Sequence, residues 1–246
     1  CSLNPNVDRL AMSCEMEIDK DTGRILNYEV FKSIINSKKQ MTYKNVNKVF
    51  NNEIVEGYEE FKNNLFIMKD LADLLRKEKI SRGYIDFDRD EIKLIVDENG
   101  LVTDVSKRDR GIGENLIEDF MIAANESVAT YISNMDLPCV YRVHDRPSPE
   151  RLKEFIKFIS ILGYNPKKEL NYETVTSKDI QFITNDLKDI EEYSVIADNL
   201  LRSMSKAIYS ADNIGHFGLA SKIYTHFTSP IRRYSDLTVH TLLNDY

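Results

Sequence analysis

The chain of 246 residues is long enough for one large domain or two small ones, and its 42% hydrophobic content can bury a sizeable core. A net charge of −7 argues against indiscriminate binding of nucleic acid by the whole surface, but it leaves room for a local basic channel. We find no apolar run that could span a membrane and no signal peptide, and the spacing of Cys1, Cys14 and Cys139 predicts reduced thiols in a cytoplasmic protein.

The first part of the sequence predicts a β-hairpin followed by two helices. Residues 9–19 and 25–35 are strand-like and flank a turn at Asp21-Thr22-Gly23. Thr42 is placed to cap a short helix that runs to Phe50. Apolar residues at helical spacing over residues 58–78 predict a long helix whose stripe belongs to the core, and Ser81-Arg82-Gly83 ends it.

The middle of the sequence predicts short strands before a long helix. Strands are expected at 84–87, 92–96 and 101–105, with a hairpin turn at Asn99-Gly100 between the last two. A helix is then expected over residues 114–134, followed by a short apolar strand at 139–144.

The last part of the sequence is predicted to be mainly helical. Ser148-Pro149 opens a helix over residues 150–162, and residues 178–185 and 190–207 have helical patterns. Residues 209–224 are mixed, with a strand predicted near 220–224. Because strands are concentrated early and helices late, the sequence predicts one α+β domain, with a mixed or antiparallel sheet and several packed helices.

The run TSPIRRY at residues 228–234 is the most informative stretch. Ser229 is expected to cap a helix whose first position is Pro230, which places Arg232 in the first turn. A guanidinium beside the free amides of a helix start favours an anion, and phosphate is the usual one.

A purely structural interpretation of the same run stays open. Arg232 and Asp236 are four residues apart and could pair on a helix surface, as could Asp236 and His240. Spacing alone does not decide between an anion site and such a pair.

Acidic and aromatic residues offer weaker signals. Asp86, Asp88 and Asp90 could share one strand face and bind Mg²⁺, but a solvated strand end is the favoured interpretation. Glu118 and Asp119 interrupt an apolar helix, so at least one should face solvent, a cleft or a cation, and a solvated face is favoured. Phe87 is a candidate for stacking on a nucleic-acid base. The four histidines show no zinc-binding spacing.

Several stretches, in the same order along the chain, resemble the RNase II/RNase R (RNB) family of exoribonucleases. The similarity is closest to the RNase R type, because of the Ile-Arg-Arg-Tyr form of the last motif. The stretches that carry it are LNP…DRLAMS (3–13), SRGYIDF (81–87), LIEDFM…ANE (116–126), YRVHD (141–145) and HFTSPIRRYSDL…H (226–240).

The resemblance implies an enzyme that hydrolyses single-stranded RNA from the 3′ end and releases nucleoside 5′-monophosphates with two Mg²⁺ ions. By motif, Arg232 corresponds to the arginine that contacts the scissile phosphate region and is the expected catalytic residue. Glu118 corresponds to the glutamate that helps to hold the terminal nucleotide, and Phe87 to the aromatic residue that stacks on the 3′-terminal base. Arg233 and Tyr234, in the same motif as Arg232, are expected to contact RNA.

One part of the family pattern is missing from this sequence. The family's metal ligands form an aspartate cluster upstream of the Leu-Asn-Pro stretch, so Mg²⁺ ligands are expected outside this chain and none within it. Residues 1–246 are therefore expected to be the C-terminal portion of an RNB catalytic domain, without its N-terminal portion or its S1 and cold-shock modules.

Two expectations and two alternatives follow from that departure. A chain that opens on Cys1 and leads directly into a strand pattern is expected to be a fragment. Because the family's metal ligands are missing from it, this fragment is expected to be inactive alone. The first alternative is a non-catalytic RNA-binding or degenerate family member, and a second is an unrelated phosphate-binding α+β protein. The sequence upstream of Cys1 would separate the first alternative from the enzyme.

Overall fold

The computed structural model describes residues 2–86, 91–108, 110–166 and 170–246, which fall into two compact units. The first unit comprises Cys1–Arg82, Gly111–Asp145 and Ala207–Tyr246, and the second comprises Gly83–Arg110 and Arg146–Lys206. Each unit is assembled from segments that are distant in sequence, so no composition shift or linker marks the division. The prediction that residues 1–246 form the C-terminal portion of one catalytic domain stays a prediction.

Strands and helices together make an α+β fold, as predicted. The described strands are β1 (Asp8–Ile18), β2 (Ile25–Asn36), β3 (Glu91–Val96), β4 (Val102–Arg108), β5 (Tyr141–Val143) and β6 (Ile208–Ser210). The described helices are α1 (Tyr43–Phe50), α2 (Lys62–Arg82), α3 (Ile112–Asn134), α4 (Pro149–Ile161), α5 (Ser177–Leu187), α6 (Tyr193–Ser203) and α7 (Tyr234–Asp245). Within the described ranges the strands pair as three separate antiparallel ladders, β1–β2, β3–β4 and β5–β6.

The β1–β2 hairpin is confirmed, and its turn is held by one aspartate. Asp19 accepts hydrogen bonds from the backbone N–H groups of Asp21 and Thr22, and Gly23 adopts a positive φ of 74°. A Cβ at Gly23 would meet the Leu74 carbonyl oxygen at 2.6 Å, so the turn can approach α2 only with glycine there.

Three helices of the first unit pack around one apolar cluster. Thr42 caps α1 by accepting from the backbone N–H of Asn45, as predicted. The cluster joins α1, α2 and α3 and contains Val46, Val49, Phe50, Tyr58, Leu65, Ala72 and Leu116. The predicted long helix extends to Arg82, and Gly83 then takes a φ of 109°, which ends it.

A second apolar cluster of the same unit joins α3, β5, the loop after β6, and α7. Its buried members are Val128, Ile132, Cys139, Tyr141, Val143, Phe227, Val239 and Leu243. Met12, Cys14 and Val30 of the hairpin pack against it. Burial raises the pKa of the Cys14 thiol to about 11, and Cys14 and Cys139 are both free thiols.

The second unit contains the β3–β4 hairpin and helices α4, α5 and α6. Ser148 caps α4 with Pro149 at its start, as predicted, and α4 packs against α6. The Asn99-Gly100 turn is also confirmed, with Gly100 at a φ of 80°. No helix in the described ranges is both long and apolar enough to cross a membrane.

Two strand predictions are wrong. Residues 84–86 have no regular secondary structure, because Tyr84 gives its carbonyl oxygen to the Gln181 side chain rather than to a strand partner. Residues 220–224 form no strand, because Ala220 is left-handed at a φ of 50° and Ser221 makes only an isolated bridge to His216. The sequence also gave no sign of β6, which is three residues long and pairs with β5.

Candidate nucleic-acid interface

The TSPIRRY run forms a turn before the last helix, not the first turn of that helix. Helix α7 begins at Tyr234, and its N-cap residue Arg233 is extended, with φ −124° and ψ 121°. The backbone N–H groups of Arg232 and Arg233 both donate to the Ser229 carbonyl oxygen, at 3.3 and 3.1 Å. The predicted Ser229 cap is therefore wrong, and Arg232 lies in a turn that precedes the helix.

Asp236 explains why the helix begins late. Its side chain is fully buried, and Oδ1 accepts from the Ser229 backbone N–H and from the Arg233 guanidinium, each at 2.7 Å. Ser235 Oγ donates to the other oxygen at 3.2 Å. Asp236 therefore folds back from the first turn of α7 and pins the segment before it. The pairing predicted as an alternative between Arg232 and Asp236 is replaced by one between Arg233 and Asp236.

Asn125 of α3 holds the other end of the same segment. This side chain is 2% exposed, and its Oδ1 accepts from the backbone N–H groups of Phe227 and Thr228, at 2.9 and 3.3 Å. Its Nδ2 donates to Tyr224 Oη at 2.9 Å. Burial raises the pKa of Tyr224 to about 12, so the phenol stays protonated beside the amide. Two buried polar side chains from two helices thus fix the backbone on both sides of the turn.

Two of the predicted site residues in the TSPIRRY run are exposed, and a third is partly buried. Arg232 is exposed, and its only described contact is a long hydrogen bond of 3.4 Å from its guanidinium to Ser229 Oγ. Tyr234 is 83% exposed. Arg233 is partly buried and paired with Asp236, so its guanidinium stabilises the turn, and its predicted contact with RNA stays a prediction. Arg232 and Tyr234 are the exposed polar side chains of this run, and Ile231 beside them is exposed as well.

Glu118 lies on the same helix as Asn125, seven residues earlier. Seven residues are two helical turns, so the two side chains share one face of α3 and are separated by about 10 Å along it. Glu118 is partly exposed, and Lys79 Nζ lies 3.8 Å from its Oε1. The same face of α3 therefore carries Glu118 and, two turns later, the Asn125 side chain that holds the segment before Arg232.

Asp119 is a buried ion-pair residue rather than part of a solvated face. It accepts hydrogen bonds from Lys79 Nζ at 2.6 Å and from Arg76 Nε at 3.0 Å, and both Lys79 and Asp119 are 3% exposed. The Asp119 side chain also borders a cavity of about 360 Å³ that lies beside α2 and α3. One expectation for this acidic pair was a neighbouring cation, and α2 supplies it through Lys79 and Arg76.

Five aromatic and histidine rings form a continuous run that includes His226, three residues before the turn. The sequence did not predict this run. The rings of His144, His216, Tyr224, His226 and Tyr209 contact one another in that order, with centroid separations between 5.0 and 5.7 Å. Burial, followed by the charges of nearby basic groups, lowers the pKa of His216 to about 3 and of His226 to about 4. Both rings are therefore neutral near pH 7.

Other predicted residues lie outside the described part of the chain. Phe87, Asp88 and Asp90 belong to this group, so the predicted stacking residue and the weaker Mg²⁺ alternative are not described. Among the residues that are described, no group of three His, Cys, Asp or Glu side chains could hold a metal ion. The described residues therefore do not fit the Mg²⁺ that the family resemblance implies.

The comparison with known proteins assigns the chain to a family. The RNB domain family matches residues 1–246, and the chain belongs to that family. Ribonuclease R of Thermotoga maritima is 46% identical over the whole chain, and Ribonuclease R 1 of Lactococcus lactis is 43% identical. The chain spans 34% and 30% of these two relatives, so it corresponds to about a third of their length.

Solved structures show the same fold. Mycoplasma genitalium RNase R in complex with ribose-methylated single-stranded RNA is 38% identical and superposes with a TM-score of 0.94, over 99% of this chain and 38% of that one. The same enzyme has also been solved with double-stranded RNA. Yeast Ssd1, a pseudonuclease, is 25% identical, with a TM-score of 0.73 over 98% of this chain and 29% of that one.

Proposed function

We propose that the chain is the C-terminal portion of the RNB catalytic domain of an RNase R-type 3′-to-5′ exoribonuclease. The enzyme would hydrolyse single-stranded RNA to nucleoside 5′-monophosphates in the cytoplasm. The observation that carries the proposal is the turn at residues 229–233, in which buried Asp236 and Asn125 fix the backbone while Arg232 stays exposed and free of acidic partners among the described residues. Its presence in an RNB-family chain supports a role in gripping the RNA backbone.

In this proposal each predicted site residue has a distinct role. Arg232 donates hydrogen bonds to oxygens of the scissile phosphate, because a guanidinium matches two phosphate oxygens at once. Tyr234 and Arg233 contact RNA beside it, and Arg233 also supports the turn through Asp236. Glu118 holds the terminal nucleotide, and Phe87 stacks on the 3′-terminal base.

The metal is proposed to bind outside residues 1–246. Because the aspartate cluster of the family motif lies upstream of the Leu-Asn-Pro stretch, we propose that Mg²⁺ is held by the N-terminal portion of the same catalytic domain, which would be this chain's intramolecular partner. The isolated chain is then expected to bind RNA without hydrolysing it.

The proposal is tested by comparing the full-length protein with residues 1–246 on a 5′-labelled single-stranded RNA. With the full-length protein and Mg²⁺ we expect a ladder of labelled strands that shorten by one nucleotide at a time, with unlabelled mononucleotides detected separately by chromatography, and with residues 1–246 we expect no products. Products cut internally, or digestion by the isolated chain, would contradict it.

A second candidate is a non-catalytic RNA-binding member of the family. Its support is that a pseudonuclease, yeast Ssd1, has this fold at 25% identity. The two candidates differ in one result: full-length protein that binds the labelled RNA but never shortens it with Mg²⁺ present would favour the second.

A further inference from the structure

A second arginine without an acidic partner lies close to the turn. Arg142 of β5 is directly opposite Tyr209 of β6, and its guanidinium lies over the Tyr209 ring at 4.7 Å from the ring centroid. Stacking on a ring holds a guanidinium in one orientation and leaves its edge N–H groups free to donate. Within the part of the chain that the structure describes, no carboxylate pairs with Arg142.

Tyr209 in turn contacts a histidine of the family motif. Tyr209 Oη and His226 Nδ1 share a hydrogen bond of 2.8 Å, and Tyr209 is 43% exposed. If the phenol donates, the proton of the neutral histidine is on Nε2. If Nδ1 donates, the phenol proton is free. In both tautomers the Tyr209–His226 pair keeps one donor for a further acceptor.

The charge around His226 comes from two parts of the chain. After burial, the Arg233, Arg142 and Arg232 guanidiniums lower the pKa of His226 to about 4, against an opposing contribution from Asp236. Arg233 is neutralised by Asp236, whereas Arg142 and Arg232 have no described acidic partner. On a chain of net charge −7, these two arginines make a local excess of positive charge around a neutral ring.

We propose that Arg142, Tyr209 and His226 form a second contact for a backbone phosphate of single-stranded RNA, next to the phosphate contact of Arg232. The edge of the stacked guanidinium would donate to phosphate oxygens, and the Tyr209–His226 pair would donate to a phosphate or ribose oxygen. An RNA strand carries phosphates at regular intervals. Two arginines without a described acidic partner, Arg142 on β5 and Arg232 in the turn before α7, could therefore each bind one phosphate of the same strand. This inference rests on the proposed function, because it assigns one more contact to the same ligand.

The experiment measures RNA binding by the full-length protein in EDTA, so that hydrolysis does not interfere. The probe is a 5′-fluorescein-labelled 12-nucleotide oligouridylate, titrated by fluorescence anisotropy at several salt concentrations. We expect Arg142→Gln to weaken binding about 10-fold, as for loss of one charge-assisted contact. We also expect the slope of log affinity against log salt to fall by about 0.7, the value for one phosphate of a single strand. Arg142→Lys, which keeps the charge, should retain most of the slope.

Arg9→Gln is the matched control, because Arg9 is in the same unit and its guanidinium already donates to the carbonyl oxygens of Ser2 and Asp8. Its affinity and salt slope should equal those of the unmodified protein, and circular dichroism should show that every variant is folded. If Arg232→Gln weakens binding and Arg142→Gln does not, the second contact is wrong and RNA binding by the turn stands. If the unmodified protein binds no RNA, the second contact and the proposed function both fail.

Discussion

Two buried aspartates of the first unit stabilise different kinds of structure. Asp119 takes its hydrogen bonds from Lys79 and Arg76, side chains on another helix about 40 residues away in sequence. Asp236 takes its hydrogen bonds from a backbone N–H and a guanidinium within seven residues. The first ties α2 to α3, and the second shapes one turn.

The difference separates residues needed for stability from residues needed to position a site. A carboxylate paired only with side chains holds whole helices together, so its loss should weaken the fold and change the turn little. A carboxylate that accepts from the backbone fixes φ and ψ at the turn, so its loss should alter where Arg232 points. Substitutions in the two regions should therefore separate loss of stability from loss of turnover.

The largest effect is expected from Asp119→Ala. This change leaves Lys79, which is 3% exposed, as a buried charge without its closest partner. Removing one member of a buried ion pair costs about 3–5 kcal/mol, so the free energy of unfolding in urea should fall by that amount. The control is Asp73→Ala, which breaks the more exposed Lys69–Asp73 pair on α2 and should cost under about 1 kcal/mol. Equal losses in the two variants would show that the buried Lys79–Asp119 pair contributes no more to stability than the exposed Lys69–Asp73 pair.

Arg232→Ala should have the opposite profile. Because Arg232 is exposed, the unfolding midpoint should not change, whereas turnover of single-stranded RNA by the full-length protein should fall about 100- to 1000-fold. RNA affinity should fall far less, because the lost contact matters most as charge develops on the phosphate. Equal losses of binding and turnover would instead indicate that Arg232 only positions the strand. Arg9→Ala provides the control for loss of one arginine.

Asp236→Asn is expected to fall between these two variants. The amide oxygen can still accept from the Ser229 N–H, but the charge that engages Arg233 is gone, at a cost of about 1–3 kcal/mol in unfolding free energy. Turnover should also fall, because the turn that carries Arg232 is less fixed.

A double-mutant cycle distinguishes positioning from general damage. If Asp236 acts through Arg232, adding Asp236→Asn to Arg232→Ala should reduce turnover little further. Additive losses in the double variant would mean that Asp236 affects turnover by another route, and the proposed positioning role would then be wrong.

Local sequence signals predicted the elements well where the cause of the structure is local. The hairpin turn around Gly23, the Thr42 cap of α1 and the Ser148-Pro149 start of α4 each depend on a few neighbouring residues. The start of α7 has the same appearance in sequence, yet Asp236 reaches back seven residues and moves it to Tyr234. A capping pattern cannot reveal a competing acceptor of this kind.

The site itself was only partly accessible from the sequence. The family motif predicts roles for Arg232 and Glu118 but none for Asn125, although Asn125 lies in the ANE part of the same motif, because its role depends on contacts with a loop about 100 residues later. The pairing of Lys79 with Asp119 was similarly hidden, although the buried acid called for some cation. Arg142 and Tyr209 meet only because β5 pairs with β6, and nothing in the local pattern predicted β6.

The smallest expected effect concerns His216, a largely buried titratable ring in the same region as Asp236. Burial and the nearby charges of His144 and Arg142 lower the pKa of His216 to about 3, from an unfolded value of about 6.5. Between these values the unfolded chain binds more protons, so stability rises with pH and is lost as pH falls below about 6.5. The unfolding free energy, measured in urea from pH 4.5 to 6.5, should therefore decrease towards acid.

His216→Gln removes this titration while keeping a side chain that can accept from the Leu219 N–H, as His216 Nδ1 does at 3.2 Å. Its stability should change less steeply with pH over the same interval, in which most carboxylates stay ionised. Asp119 and Asp236 both have cationic partners, whereas His216 and His226 have neighbouring positive charge, so acid should disturb these two rings rather than the two aspartates. A variant with the same pH slope as the unmodified protein would show that the ring is not what makes this region acid-sensitive.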